Sequence, residues 1–161
     1  MPVPISKYTY MLGVQTLFIL ADLIFNIVAD TVRMENVLRL ILFIIQDVAL
    51  VFSLIVVFLN FVSTYVFQAG LVGVLLTRFR ATLALNTAYL ALSVGLHSWS
   101  LDRQWADPYL VVWTPGLLAL YAVHRIVSVL HYYFYKRTAL ELCDPELYED
   151  SPWLQKYLHG S

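Results

Sequence analysis

Long apolar runs alternate with short polar segments along the chain, and their lengths constrain the fold. Four runs are long enough to cross a bilayer as helices, since its ~30 Å hydrocarbon core needs about 20 mostly apolar residues. They lie at about residues 8–29, 37–66, 81–99 and 110–134. The pattern predicts an all-α membrane protein: a four-transmembrane-helix bundle in residues 1–137 and a short cytosolic helical tail in residues 138–161.

Composition supports a membrane protein and excludes some partners. Of the 161 residues, 60% are hydrophobic and only 13% are charged, whereas about a quarter of an ordinary soluble domain is charged. The net charge of −1 gives no basic surface for nucleic acid. The single cysteine, Cys143, is a candidate for palmitoylation or remains a free thiol.

Lysine and arginine are distributed unequally between the two ends of the predicted spans. Six lie at the N-terminus, in the segment 67–80 and in the tail: Lys7, Arg78, Arg80, Lys136, Arg137 and Lys156. Three lie in the opposite loops: Arg33, Arg39 and Arg103. Because cytosolic loops carry the excess of these residues, both termini are predicted to be cytosolic. The segment 67–80 is apolar but too short to cross, and we expect a helix extension or an interfacial segment.

Polar residues recur at helical spacing within each span, so they fall on one face. The stripes are Gln15, Asp22 and Asn26; Gln46, Ser53 and Asn60; Asn86, Ser93 and His97; and Thr114, Tyr121, Arg125, Ser128 and Tyr132. An unpaired polar group in hydrocarbon costs several kcal/mol, so these stripes should face the bundle interior. They predict a structural intramembrane polar cluster that contains Asp22, Gln46, Asp47, His97 and Arg125.

Arg125 lies near the middle of an apolar run, where an unpaired charge is most costly. An acidic partner would lower that cost, and Asp47 and Asp22 are the acids within the predicted spans. We predict that Asp47 pairs with Arg125, and Asp22 is the alternative partner. A conduction or proton pathway is the competing interpretation of the same ionisable residues.

The third span carries a second pattern, a seam of small residues opposite its polar stripe. The seam consists of Ala84, Ala88, Ala91 and Gly95. Small residues at this spacing allow two membrane helices to approach closely. The pattern predicts that this helix is the most enclosed of the four.

Four sequence blocks carry a resemblance to a known family: LILFIIQDVA, YVFQAGL, YFYKRTA and DPELYEDSPWL. They are similar to the corresponding blocks of the transmembrane protein 138 family, small four-span proteins linked to cilium formation and to Joubert-type ciliopathy. The similarity covers about residues 37–157, and the first 36 residues match poorly. The resemblance implies a place in the cilium, at its base or in intracellular vesicle or vacuole membranes. It implies a role in the transition zone or in vesicular trafficking to the cilium, and it brings no catalytic residues or cofactor.

The tail contains two helix-start signals, Asp144-Pro145 and Ser151-Pro152. An apolar stripe at helical spacing follows: Trp153, Leu154, Tyr157 and Leu158. Such a stripe packs against the bundle, rests on the bilayer or docks on another protein. We take these four residues as the candidate partner-docking surface.

Three functional hypotheses follow. Recognisable nucleotide-binding, zinc-protease and serine-hydrolase motifs are absent from the sequence, and we expect no catalytic residue, metal or cofactor. The first hypothesis is a non-enzymatic membrane protein that contacts lipid and other ciliary membrane or trafficking proteins, as a monomer or an oligomer. The second is a transporter or channel subunit that uses Asp47 and Arg125. The third, with less support, is a lipid-modifying enzyme built on Asp22, Asp47 and His97.

Overall fold

The computed structural model describes residues 5–32, 35–68, 70–106 and 114–144, together with positions 147, 152, 155 and 156. The elements are α1 (Ile5–Thr31), α2 (Asn36–Val62), α3 (Tyr65–Gln68), α4 (Val72–Gln104) and α5 (Pro115–Glu141). No strand occurs among the described residues. The prediction of an all-α membrane protein is confirmed.

Among the described residues, three helices are long and apolar enough to cross a membrane. These stretches are Thr9–Thr31, Asn36–Val62 and Pro115–Glu141, and they correspond to the first, second and fourth predicted spans. A helix of 27 residues such as α2 is about 40 Å long, more than the hydrocarbon core requires. The longest helix, α4, has 33 residues, but charged, polar and small residues dilute its apolar content. Its role as a fourth span stays a prediction.

Helix α2 ends four residues before the predicted limit of 66, and two hydroxyl side chains bond to carbonyl oxygens of its last turn. The Ser63 hydroxyl donates to the Asn60 carbonyl oxygen at 2.8 Å, and Thr64 donates to the Phe61 carbonyl oxygen at 2.7 Å. Gly70 has a φ of +81°, a conformation that L side chains rarely adopt. Residues 72–80 then form the first turns of α4, so this part of the segment 67–80 extends the third predicted helix at its N-terminal side.

The long helices form a ring in which each one packs against two neighbours. Helix α2 lies between α1 and α4, and α5 lies between α4 and α1. The α4–α5 contact is the most extensive, and the α1–α5 contact is the least extensive of the four. The start of α5 is fixed by Thr114, whose side chain accepts a hydrogen bond from the Leu117 amide, and by Pro115 at the first helical position.

An apolar core closes the end of the bundle where α2 and α5 end and α4 begins, the end predicted to be cytosolic. We call it the end core, and it contains Val57, Phe61, Val66, Leu75, Phe79, Tyr135, Leu142 and Leu147. Leu147, which follows α5 in the tail, is fully buried there. At Leu147 the chain therefore packs against the bundle. Cys143 is buried close by, and this burial raises the pKa of its thiol, which slows any reaction of the thiolate.

The small-residue seam lies on the outside of the bundle. Ala84, Ala88, Ala91 and Gly95 are all exposed, and a Cβ atom added to Gly95 would meet nothing within 4 Å. The prediction that this seam brings two helices of the chain together is wrong. Helix α4 instead meets its neighbours through the opposite face, which carries the polar stripe.

Candidate functional site, a buried polar network

The polar stripes predicted on the first three spans are buried in the bundle, which confirms their inward orientation. Their members are Gln15, Asp22 and Asn26 on α1, Gln46, Ser53 and Asn60 on α2, and Asn86, Ser93 and His97 on α4. On α5 the prediction was displaced by about one position. The buried polar side chains there include His124, Ser128, His131 and Thr138, whereas Arg125 and Tyr132 are half-buried at the flank.

Asp22 is the centre of the network, and each of the other long helices sends a donor to its carboxylate. Gln46 Nε2 on α2 donates to Oδ1 at 2.9 Å, and the Tyr89 hydroxyl on α4 donates to Oδ2 at 2.8 Å. The Tyr132 hydroxyl on α5 and Asn26 Nδ2 on α1 donate to the same Oδ2. Asp22 is only 2% exposed. Hydrogen bonds from four helices therefore solvate this carboxylate in place of water.

This arrangement explains how an acid is tolerated inside the bundle without a cationic partner. A buried charge is costly unless hydrogen bonds or an opposite charge compensate it, and bonds to a charged acceptor are stronger than neutral ones. Asn26 adds to the cohesion, because its amide also contacts the hydroxyl oxygens of Tyr89 at 2.9 Å and Tyr132 at 3.1 Å. Asp22 and Gln46, two members of the predicted cluster, thus contact each other directly.

Asp47 belongs to a different part of the network. Its Oδ1 lies 3.0 Å from His97 Nδ1, and the His97 ring stacks on Phe43 with 4.0 Å between ring centroids. The prediction that Asp47 pairs with Arg125 is wrong. Asp47 lies about 100° around α2 from the inward-facing Gln46, on the side of α4. Helix α5, which carries Arg125, packs against α4 and α1.

Arg125 is compensated by an acid that lies just beyond the predicted first span. Its guanidinium forms an ion pair with Asp30 and donates to the Asn26 carbonyl oxygen at 3.4 Å. Tyr121 completes the group: its hydroxyl donates to Asp30 at 2.9 Å, and its ring lies 4.9 Å from the guanidinium carbon. The alternative partner, Asp22, does not pair with Arg125 either. Asp30 was overlooked because the predicted span ended at residue 29, whereas α1 continues to Thr31.

Aromatic and histidine side chains connect these groups. Tyr89 stacks on His124 and on His131, with ring centroids 4.9 and 4.8 Å apart. His124 Nε2 lies 2.8 Å from the Ser93 hydroxyl, and its ring centroid is 6.4 Å from that of His97. Sequence reasoning missed Tyr89 on the third predicted span, although it counted Tyr121 and Tyr132 in the polar stripe of the fourth. Its spacing, three residues after Asn86 and four before Ser93, already placed it on the polar stripe.

Three site predictions remain: the site of the lipid-enzyme hypothesis, the absence of a metal site, and the docking surface in the tail. Among the described residues, Asp22 is bonded to Asn26, Gln46, Tyr89 and Tyr132, whereas Asp47 is bonded to His97, so no hydrogen bond joins Asp22 to the other two residues of the lipid-enzyme hypothesis. In the part of the chain that the structure describes, no group of three or more His, Cys, Asp or Glu side chains is arranged to hold a metal ion. The predicted docking residues lie outside the described residues: Trp153, Leu154, Tyr157 and Leu158.

The fold and the network define a class: an all-α integral membrane protein with a polar interior. A family model described as Transmembrane protein 138 matches residues 39–157. Proteins named Transmembrane protein 138 from Mus musculus and Xenopus tropicalis are each 46% identical over 151 residues, covering 94% of this chain and 93% of the relative. The Danio rerio protein of that name is 46% identical over 150 residues, 93% of each chain. The chain belongs to the transmembrane protein 138 family.

The alignment with these relatives also corrects the extent of the resemblance. Since 151 of the 161 residues align with the mouse protein, the similarity reaches into α1. The similarity is therefore not confined to residues 37–157. No solved structure matches the chain.

Proposed function

We propose that this chain is a non-enzymatic membrane protein that acts in cilium assembly, by organising the transition zone or by vesicular trafficking to the cilium. Membership of the transmembrane protein 138 family over almost the whole chain carries the proposal. The sequence blocks that resemble this family imply the ciliary role. A location in the cilium, at its base or on vesicles that serve it belongs to the same proposal, with both termini in the cytosol.

The buried network supports a structural use of the intramembrane polar residues. Asp22 and Gln46 bond to each other, Asp47 to His97, and Arg125 to Asp30. These contacts use the polar groups to hold helices together. Recognition of other proteins then falls to the surfaces outside the bilayer, chiefly the tail and the segment 67–80.

The end core favours the tail as the recognition surface. Leu147 is fully buried against this core, so the chain that follows begins at a fixed point on the bundle. The aromatic and aliphatic stripe that the sequence predicts in this part of the tail suits docking into an apolar groove of a ciliary membrane or trafficking protein, where aromatic anchors commonly dominate the binding energy.

The experiment changes Trp153→Ala with Leu154→Ala and measures protein level, membrane fractionation, ciliary localisation and proximity partners in ciliated cells. We expect normal level and insertion, with loss of partners and of ciliary delivery. The matched control is Gln155→Ala with Lys156→Ala, because both of these side chains are exposed. Normal localisation with all partners retained would contradict the docking surface, and loss of the protein itself would favour packing on the bundle.

A transporter or channel subunit is the second candidate, and the run of ionisable side chains from Asp47 through His97 and His124 to His131 favours it. Its expected pair, Asp47 with Arg125, does not form, and the end core seals one end of the network with apolar side chains. Flux into liposomes that contain the purified protein separates the two candidates. Ion or proton flux that Asp47→Asn abolishes would support transport over the scaffold role.

A further inference from the structure

A small cavity lies beside Asp22, and the hydrogen-bond network alone does not explain why so many polar side chains line it. It lies between α1, α2 and α5 and has a volume of about 10 Å³, the space of roughly one water molecule. Four polar side chains line it, Asp22, Ser53, His131 and Tyr135, and each of them is 3% exposed or less. The rest of the lining is apolar.

The hydroxyl hydrogens of Ser53 and Tyr135 are already used elsewhere. The Ser53 hydroxyl donates to the Leu50 carbonyl oxygen at 2.8 Å, and the Tyr135 hydroxyl donates to the Ser53 carbonyl oxygen at 3.1 Å. His131 Nδ1 is buried and has no hydrogen-bond partner among the described residues. With the imidazole proton on Nε2, this atom offers a lone pair. Ser53, Tyr135 and His131 therefore present acceptors to the cavity.

Asp22 supplies the charge. Its Oδ2 accepts three of the four hydrogen bonds described above, and Oδ1 accepts one, so Oδ1 retains a free acceptor position. The cation of the neighbouring turn, Arg125, is paired with Asp30. A neutral water brings two hydrogens and cannot satisfy four acceptors, whereas a cation can interact with all of them.

We propose that this cavity binds one small monovalent cation, either sodium or a hydrated proton, against the Asp22 carboxylate. The oxygens of Asp22, Ser53 and Tyr135 are ligands that hard cations prefer, and His131 Nδ1 adds a fourth acceptor. A cation here would neutralise a charge that lies at membrane depth. Besides the lining residues, the titratable side chains that face this site are Tyr89 and Tyr132, which contact Asp22, and His124, which stacks on Tyr89.

The test uses the purified full chain in lipid nanodiscs and measures its thermal midpoint, Tm, at constant ionic strength. Sodium chloride replaces choline chloride stepwise at pH 7.5, with potassium chloride as a parallel series. If sodium is the ligand, Tm rises and saturates with sodium, by about 3–6 °C at tenfold excess over Kd. Choline, which is too large to enter, and potassium, whose lower charge density weakens its bonds to oxygen ligands, give a smaller shift or none.

Asp22→Asn should abolish the sodium response. The matched control is Asp47→Asn, which removes an acid outside the cavity and should leave the response unchanged. Ser53→Ala keeps every hydrogen bond to Asp22, so this variant tests the site if Asp22→Asn does not fold. We expect it to raise the half-saturating sodium concentration by about tenfold, the loss of one ligand contact worth about 1.4 kcal/mol.

A second series without sodium varies the pH from 5 to 8. If a hydrated proton is the ligand, Tm rises as the pH falls, because a ligand that binds only the folded state stabilises it. That dependence should disappear in Asp22→Asn and persist in Asp47→Asn. Equal shifts with all three salts, or the absence of both a sodium and a pH response that Asp22 or Ser53 controls, would overturn the proposal.

Discussion

The hydrogen bond from Tyr89 to Asp22 offers a direct test of the network, and the change Tyr89→Phe removes it almost alone. The Tyr89 ring is fully buried and stacked on both His124 and His131, so phenylalanine keeps the packing and deletes only the hydroxyl. The deletion takes one of four donors from the carboxylate. It also removes an oxygen that the Asn26 amide contacts at 2.9 Å.

Two magnitudes compete for the expected cost. Hydrogen bonds between membrane helices average about 0.6 kcal/mol, with a maximum near 1.7 kcal/mol. Hydrogen bonds to charged groups contribute about 1.5–3 kcal/mol. The Tyr89 bond is 2.8 Å long and reaches a buried carboxylate, so the charged-acceptor range applies at its lower end. We expect Tyr89→Phe to cost about 1.5 kcal/mol, roughly a tenfold fall in the folding equilibrium constant.

The assay is unfolding in mixed micelles, followed by circular dichroism as the fraction of denaturing detergent rises. Tyr10→Phe is the matched control, because Tyr10 is 73% exposed and its hydroxyl lies outside the network. A cycle with Asp22→Leu isolates the pair: once the acceptor is gone, Tyr89→Phe should cost close to nothing. A Tyr89→Phe variant as stable as the Tyr10→Phe control, or the same Tyr89→Phe cost with and without Asp22, would refute the reasoning.

Three further predictions concern the ion pairs, the turn before α4 and the topology. The losses in folding stability from Asp47→Leu and Arg125→Leu should add, within about 0.5 kcal/mol, because the two residues belong to separate pairs. Recovery of stability in the double variant would contradict this. Coupling should appear instead between Asp47 and His97. Gly70→Ala should cost about 1–2 kcal/mol, because its φ is positive, whereas Gly95→Ala in an open helical position should be neutral or stabilising in the same unfolding assay. Tags at both chain ends should become accessible to antibody only after permeabilisation, and labelling of intact cells would reverse the predicted orientation.

Much of the fold could be predicted from the sequence. The length of an apolar run indicates a membrane helix, and the spacing of its polar residues indicates the polar face. The stripes that contain Asp22, Gln46 and Ser93 all face inward as the spacing predicted. The prediction was less accurate for α4, which has 33 residues, because the apolar run at 81–99 covers only part of this helix. Arg78 and Arg80 interrupt the apolar pattern there without interrupting the helix.

The pairing of side chains could not be predicted, because it depends on which helices are neighbours. Asp47 was assigned to Arg125 on depth and charge alone, and the order of helices around the ring separates them. The first predicted span ends at residue 29, two residues before α1 does, and so it excluded Asp30, the acid that Arg125 binds. The cavity beside Asp22 could not be predicted either, since residues of three different helices line it.

The hydrogen bonds that Asp22 accepts have a structural consequence for the bundle. Helices in lipid gain little from the hydrophobic effect by associating, so packing and hydrogen bonds must select one arrangement. Asp22 makes that selection sharply, because its donors come from α2, α4 and α5 as well as from α1, and a rotation of any one helix by a residue would remove a donor. The α1–α5 contact is the least extensive in the ring, yet several contacts of charged groups cross it, including those of Tyr132 with Asp22 and of Arg125 and Tyr121 with Asp30. Polar contacts therefore hold α1 to α5, where the apolar packing between helices is least extensive. Loss of Asp22 should loosen α1 from the ring before it affects the α4–α5 pair.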